Sequence, residues 1–282
     1  VFPEPQRKGR QQGIDSNLFS WDPEVNMAQG HGFRRHECGK GRISPMSLHL
    51  SGFASVLAFL FLSADGLSAT VVLPASRDNT LYESATGALS NGRGEYLFAG
   101  RTNQASDSLR RALVLFDLSS IPPGSTVTSA SLLLTMSKTI SGAHVFELHP
   151  ITADWGEGIS DASGDEGAGA PSQSGDATWI HRFYNTNTWS SPGGDPAATV
   201  SASQSVSGTG SYAFGPSAQM TTDVQGWVSG PSTNFGWLVL GGESTAGSAK
   251  RFNSRENAAV STRPVLAVDY VPASSVGTWE LY

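Results

Sequence analysis

Along Arg251-Phe252-Asn253-Ser254-Arg255, a period of two puts Arg251, Asn253 and Arg255 on one strand face and Phe252 on the other. A guanidinium grips a carboxylate through two parallel hydrogen bonds, so such a face suits an acidic sugar. Arg101 joins this candidate set. The alternative is an internal ion pair, Arg111 with Asp117 or Glu256 and Arg255 with Asp78 or Glu83. Aromatic rings are the second common sugar contact, because pyranose C–H bonds pack on a ring face. Tyr82, Tyr184 and Trp189 complete the ligand-binding candidates, with Trp155 and Trp179 as further rings. A Trp in a β-rich loop also serves as a core plug, and Trp227 and Trp237 are assigned that role.

Asp154, Glu157, Asp161, Asp165 and Glu166 form an acidic loop without EF-hand spacing. Solvated charge is its default reading, and a structural Ca²⁺ is the one metal alternative; no cofactor is otherwise expected. His144, His149 and His181 stand outside any Ser, Cys or metal motif, so no catalytic constellation is assembled and no enzyme is expected. The enzymatic alternative, a polysaccharide lyase or glycoside hydrolase, would have to use His181, Tyr184 and a carboxylate.

The elements that must position these residues begin late in the chain. Phe53 to Leu62 is an apolar run too short to span a bilayer, followed by the small residues Ser68 and Ala69. Residues 46–69 are therefore expected to be a signal peptide, and 1–45 a disordered leader or mis-assigned upstream sequence. The full chain carries a formal charge of −6, and residues 70–282 hold 18 Asp and Glu against 11 Lys and Arg. Only Lys138 and Lys250 supply lysine there, which argues against nucleic acid as a partner. The single cysteine, Cys38, precedes this region, so its stability must come from packing rather than a disulfide.

Residues 70–271 read as one all-β domain, an antiparallel two-sheet β-sandwich of jelly-roll type with one or two short helices. Strands are expected at Thr70–Leu73, Thr80–Glu83, Glu95–Arg101, Arg111–Asp117, Thr126–Met136, Ala143–Leu148, Ala197–Val206, Gly236–Leu240, Arg251–Arg255 and Arg263–Tyr270. Arg111–Asp117 is apolar on both faces and should be central. Val224, Trp227 and Val228 have helical spacing, predicting one or two helical turns within Thr221–Val228. From Asp154 to Pro196 periodicity disappears, yet the aromatics there predict a folded excursion pinned by its rings. Residues 272–282 are a C-terminal tail that resembles the start of a truncated sorting segment.

Several segments together resemble a DNRLRE domain, a β-sandwich family that includes carbohydrate-binding module family 96. They are Asp78-Asn79-Thr80-Leu81-Tyr82-Glu83, the Arg111 to Pro122 run, Val127 to Ala130, and the Val224, Trp227, Gly230, Asn234, Gly236 spacing. Phe252, Arg255 and Glu256, with Arg263, Pro264 and Leu266, close the match. The first motif departs from the family at Thr80 and Tyr82, where the family carries Arg. The resemblance implies recognition of an extracellular polysaccharide, in some members an acidic one such as alginate, by basic side chains on a sheet face. A secreted or cell-surface protein of bacterial type follows as the expectation, touching a membrane only through its signal peptide or an anchor. A structural or adhesive surface-layer domain is the competing reading.

Overall fold

In the computed structural model, the described residues are 67–230 and 232–274. The leader over 1–45, the signal segment up to residue 66 and most of the C-terminal tail lie outside them. β1 (Ala69–Tyr82) is the longest element along with β5 (Thr126–Thr139). Between them come β2 (Leu89–Ser90), β3 (Tyr96–Arg101) and β4 (Leu109–Phe116). After β5 follow β6 (His144–Pro150), β7 (Ala170–Pro171), β8 (His181–Phe183), β9 (Asn187–Thr188), β10 (Ala202–Val206) and β11 (Gly210–Phe214). The helix α1 (Ala218–Ser229) precedes β12 (Trp237–Gly241), β13 (Lys250–Asn253) and β14 (Val265–Val271).

Among the described residues the strand pairings are antiparallel and β-structure dominates, with one α-helix, as expected. The hydrogen bonding, however, is not divided between two separate sheets. It runs β1-β14-β5-β13-β3-β4 and returns from β4 to β1, closing a six-strand ring, while β12, β6 and β10 continue outward from β4. The cause lies in β1. Its first half pairs with β14 as far as Pro74 opposite Val265, and its second half pairs with β4 from Ala75 opposite Phe116. Pro74 has no N–H to continue the ladder, and a bulge between Ala75 and Arg77 turns the strand toward its new neighbour. Thr70–Leu73 and Thr80–Glu83, expected as two strands, are therefore two arms of one.

Alternation places Val127, Ala130, Leu132, Leu134 and Met136 of β5 in the ring interior, with Ala112, Val114 and Phe116 of β4 and Leu266 and Val268 of β14. The opposite face of β4 is apolar too. Leu113 and Leu115 join Leu81, Leu238, Ile151 and the rings of Trp155, Trp179 and Trp189 in a second core. The 154–196 excursion is thus folded over the outside of the ring and held by its tryptophans. Helix α1 closes one end of the structure. Ser217 Oγ accepts from the Met220 N–H as its N-cap, Gly230 ends it at φ 83°, and Met220 and Val224 are its buried residues. The helix contains the expected Thr221–Val228 segment but is longer than the one or two turns its spacing predicted, at 12 residues.

Trp237 anchors the junction of helix and ring. It is fully buried, its ring lies edge-on to Trp227 at 4.6 Å and to Phe116 at 6.3 Å, and its Nε1–H donates to Ser201 Oγ at 2.8 Å. Trp237→Ala should cost about 3–5 kcal/mol in chemical denaturation, the range for emptying a buried indole site. A loss under about 1 kcal/mol would mean that the helix does not depend on this contact.

Candidate functional site

β13 and β3 are paired with Arg251 opposite Phe98 and Asn253 opposite Tyr96. The Arg251 guanidinium lies over the Tyr96 ring, 3.7 Å from its centroid, and Nε donates to Ser137 Oγ at 3.1 Å. These contacts fix the plane of the group and leave an edge free. That edge meets a carboxylate. Arg251 Nη1 donates to Asp165 Oδ1 at 2.9 Å while Lys138 Nζ donates to Asp165 Oδ2 at 2.6 Å, so each oxygen takes one cation. Lys138, and Arg251 after it, hold the Asp165 carboxyl below the usual carboxylate range. Beside the pair is a largely apolar cavity of about 190 Å³, lined by Phe98, Ile140, Ala249, Thr102, Lys138 and Arg251 among others. Two cations on an apolar wall, sharing one solvent-facing carboxylate, can bind a carboxylate carried by another molecule.

The loop presenting Asp165 is set by its neighbour. Glu166 is buried, and its carboxylate accepts from Asn91 Nδ2 at 2.8 Å, Glu95 N–H at 3.0 Å and Tyr96 N–H at 2.9 Å. Its backbone carbonyl accepts from Tyr82 OH at 2.9 Å. Arg110 stacks on Tyr82 at 4.9 Å and donates to Gly167 O at 3.3 Å, fastening the other side of the loop. Burial pushes the Tyr82 hydroxyl far above its ordinary value, which keeps it a donor.

Of the residues singled out in the sequence, Arg251 alone among the expected contacts lines this cavity. Tyr82 is fully covered and Trp189 nearly so, with its Nε1–H donating to Thr178 O at 2.9 Å; neither offers a ring face to a ligand. Asn253 is buried and donates to Thr262 Oγ1 at 2.7 Å. β13 ends at Asn253, so Arg255 sits in the following turn rather than on the strand face, bound to Glu157 at 3.0 Å and Glu256 at 2.6 Å. Arg101 donates through Nε to the Glu243 carbonyl, and Arg111 pairs with the Glu243 carboxylate at 2.7 Å, not with Asp117 or Glu256. Tyr184 is half-buried in an edge-on contact with His181 at 5.3 Å, away from the cavity's lining.

The acidic loop does not converge. Asp154 pairs with Arg77 at 3.1 Å, Asp165 with Lys138 and Arg251, and Glu166 with the backbone of β3. Only Glu157 joins other carboxylates, those of Asp78 and Glu256. His149 Nδ1 lies 3.0 Å from Ala197 O, and His181 Nδ1 lies 3.1 Å from Thr178 Oγ1. Sequence reasoning missed Lys138, Tyr96 and Phe98 as site residues and the anchoring part of Glu166. No protein-family model matches the chain, and no curated protein matches it.

Replacing Glu166 by Gln turns one acceptor of the Glu95 and Tyr96 N–H groups into a donor. Glu166→Gln should cost about 1–3 kcal/mol, the penalty of leaving a buried group unpaired. Hydrogen exchange should quicken at Glu95 and Tyr96, and unchanged protection there would remove Glu166 as the anchor.

Proposed function

We propose that this chain is a non-catalytic, exported β-domain that binds an acidic polysaccharide at the Lys138–Arg251 cavity, outside the cell or on its surface. We read the ring as a jelly-roll-like sandwich of the DNRLRE type. The observation carrying this reading is the shared carboxylate: Arg251 and Lys138 already grip Asp165 in the manner a uronate requires. Asp165 is well exposed, and an exposed ion pair is weak, so a ligand carboxylate can take its place at little cost. Phe98, Ile140 and Ala249 supply an apolar wall for the C–H face of a sugar. The remaining Arg candidates are tied to internal acceptors, which leaves this cavity as the best-placed of the cationic positions. The membrane is expected to matter only during export, and nucleic acid is not the partner.

A second reading has an observation of its own. The 2.6 Å Lys138–Asp165 contact is also what a permanent structural bridge looks like, and a surface-layer or adhesive domain needs nothing more.

Titration calorimetry of the full chain against alginate, pectin and a neutral glucan separates the two. Binding of the acidic chains should weaken with added salt, and Arg251→Ala should cost about 1.5–3 kcal/mol, as expected for a charge-assisted hydrogen bond. Asp165→Asn should tighten binding by removing the internal competitor. Absence of heat with every glycan, in both the native chain and Asp165→Asn, leaves the structural reading.

A further inference from the structure

Asp78, Glu157 and Glu256 come from three distant parts of the chain. Asp78 lies just past the β1 bulge, Glu157 in the excursion and Glu256 in the turn after β13. One carboxylate oxygen from each lies within 4.8 Å of the others. Their hydrogen bonds are incomplete. Asp78 Oδ2 accepts from the Arg255 N–H at 2.7 Å, and Glu157 Oε1 accepts from the Asp78 N–H at 2.9 Å and from Arg255 Nη1 at 3.0 Å. Glu256 Oε1 accepts from the same Arg255 Nη1 at 2.6 Å.

Two oxygens are left over. Asp78 Oδ1 and Glu256 Oε2 are both inaccessible to solvent and have no hydrogen-bond partner, and the Asp78 side chain is almost wholly buried, at 1% exposure. Buried carboxylate oxygens are nearly always satisfied, because a bare one forfeits its hydration for nothing. Charge leads to the same gap. Three carboxylates share one bonded guanidinium, with Arg93 acting on Glu256 less strongly than Arg255, so negative charge is in excess in a poorly hydrated place. Burial, and next to it the Glu256 charge, push the Asp78 carboxyl well above the carboxylate range, and burial pushes Glu256 upward as well. A divalent cation offsets that excess and can be the partner that the bare oxygens lack.

We propose that Asp78, Glu157 and Glu256 form a calcium site, with Asp78 Oδ1 and Glu256 Oε2 as its buried ligands and Arg255 as the fixed cation that orders the other oxygens. The donors are all carboxylate oxygens, with neither imidazole nor thiolate, which selects a hard cation over zinc or copper. Three irregularly placed carboxylates suit calcium's variable coordination better than magnesium's octahedron, with water completing the shell. Bound there, the ion joins β1, the excursion and the β13 turn, so it stabilises the whole face on which the excursion rests.

The full chain, stripped with chelator and exchanged into metal-free buffer at neutral pH, is titrated with CaCl₂ by calorimetry and melted with and without it. A single saturable site is expected. At a hundred-fold excess over Kd the melting temperature should rise by about 5–10 °C, with a smaller rise for MgCl₂. Asp78→Asn and Glu256→Gln should each abolish the calcium response, and both should melt higher than the native chain without metal because they relieve repulsion. Asp165→Asn, an acidic change on the exposed bridge, should leave the response intact. No saturable heat and no change of melting temperature in the native chain overturns the proposal, leaving a shared proton to quiet the cluster. A calcium response kept in both Asp78→Asn and Glu256→Gln also overturns it, by placing the ion elsewhere.

Discussion

The switch of partner at Pro74–Arg77 is the constraint on which the rest of the structure depends. A strand that stayed with β14 would leave β4 unpaired along one edge, and the ring would open. By crossing to β4, the second arm of β1 becomes a strand whose every side chain is enclosed from Asp78 to Tyr82. Leu81 joins the second core, and the others each take a different duty. Asp78 enters the carboxylate cluster, Asn79 holds the excursion, Thr80 Oγ1 accepts from the Phe98 N–H at 3.1 Å, and Tyr82 reaches Glu166.

Asn79 exemplifies how an irregular segment can be buried without leaving polar groups stranded. Its Nδ2 donates to Glu157 O at 2.7 Å and Ser90 Oγ at 2.9 Å, while Oδ1 accepts from the Asn91 N–H at 3.1 Å. Asp176, fully buried, does similar work further along, accepting from the Ile159 N–H at 2.8 Å and the Gln173 N–H at 2.7 Å. Loop backbone has no ladder of its own, so side-chain acceptors replace it. Close approach then demands glycine. A Cβ at Gly92 would stand 1.8 Å from Glu157 O, and one at Gly158, already at φ 75°, would stand 1.6 Å from Asp176 Oδ1.

What the sequence made legible is what depends on near neighbours along the chain. The two-faced apolar run of β4, the helical spacing at Val224 and Trp227 and the ring-pinned excursion each rest on local pattern, and each is present. The partners of the charged residues were not legible. Arg251 meets Asp165 across 86 positions and Ser137 across 114, and no period encodes such pairs. Tyr82 looked like a platform because a ring beside a turn reads the same whether or not something covers it. The cover is the 166–169 loop, and its one signal was Gly169, where a Cβ would come within 3.2 Å of the Tyr82 ring. Glu166 was read as loop charge, since a carboxylate capped by main-chain N–H groups leaves no pattern in side-chain types. The ring closure was hidden for a related reason: Pro74 signals an interruption, and only the pairing on either side distinguishes a strand that ends from one that changes partner.

The molecule uses its carboxylates in opposite ways, and burial decides which. Asp165 stands largely in solvent, so either of its cations can exchange it for another anion with water supplying the difference. Glu166 is held more firmly, because besides Asn91 Nδ2 two of its donors are main-chain groups at the start of β3 that cannot move without disturbing the strand. Asp78 is the extreme case: it is as buried as Asn79 beside it, yet one of its oxygens is unmatched while the amide is fully used. Neighbouring residues on one strand thus differ in whether the fold alone satisfies them. Where the fold does not, as at Asp78, the missing partner must be something the chain does not supply, and an oxygen-only pocket with excess negative charge narrows that partner to a small hard cation or a proton.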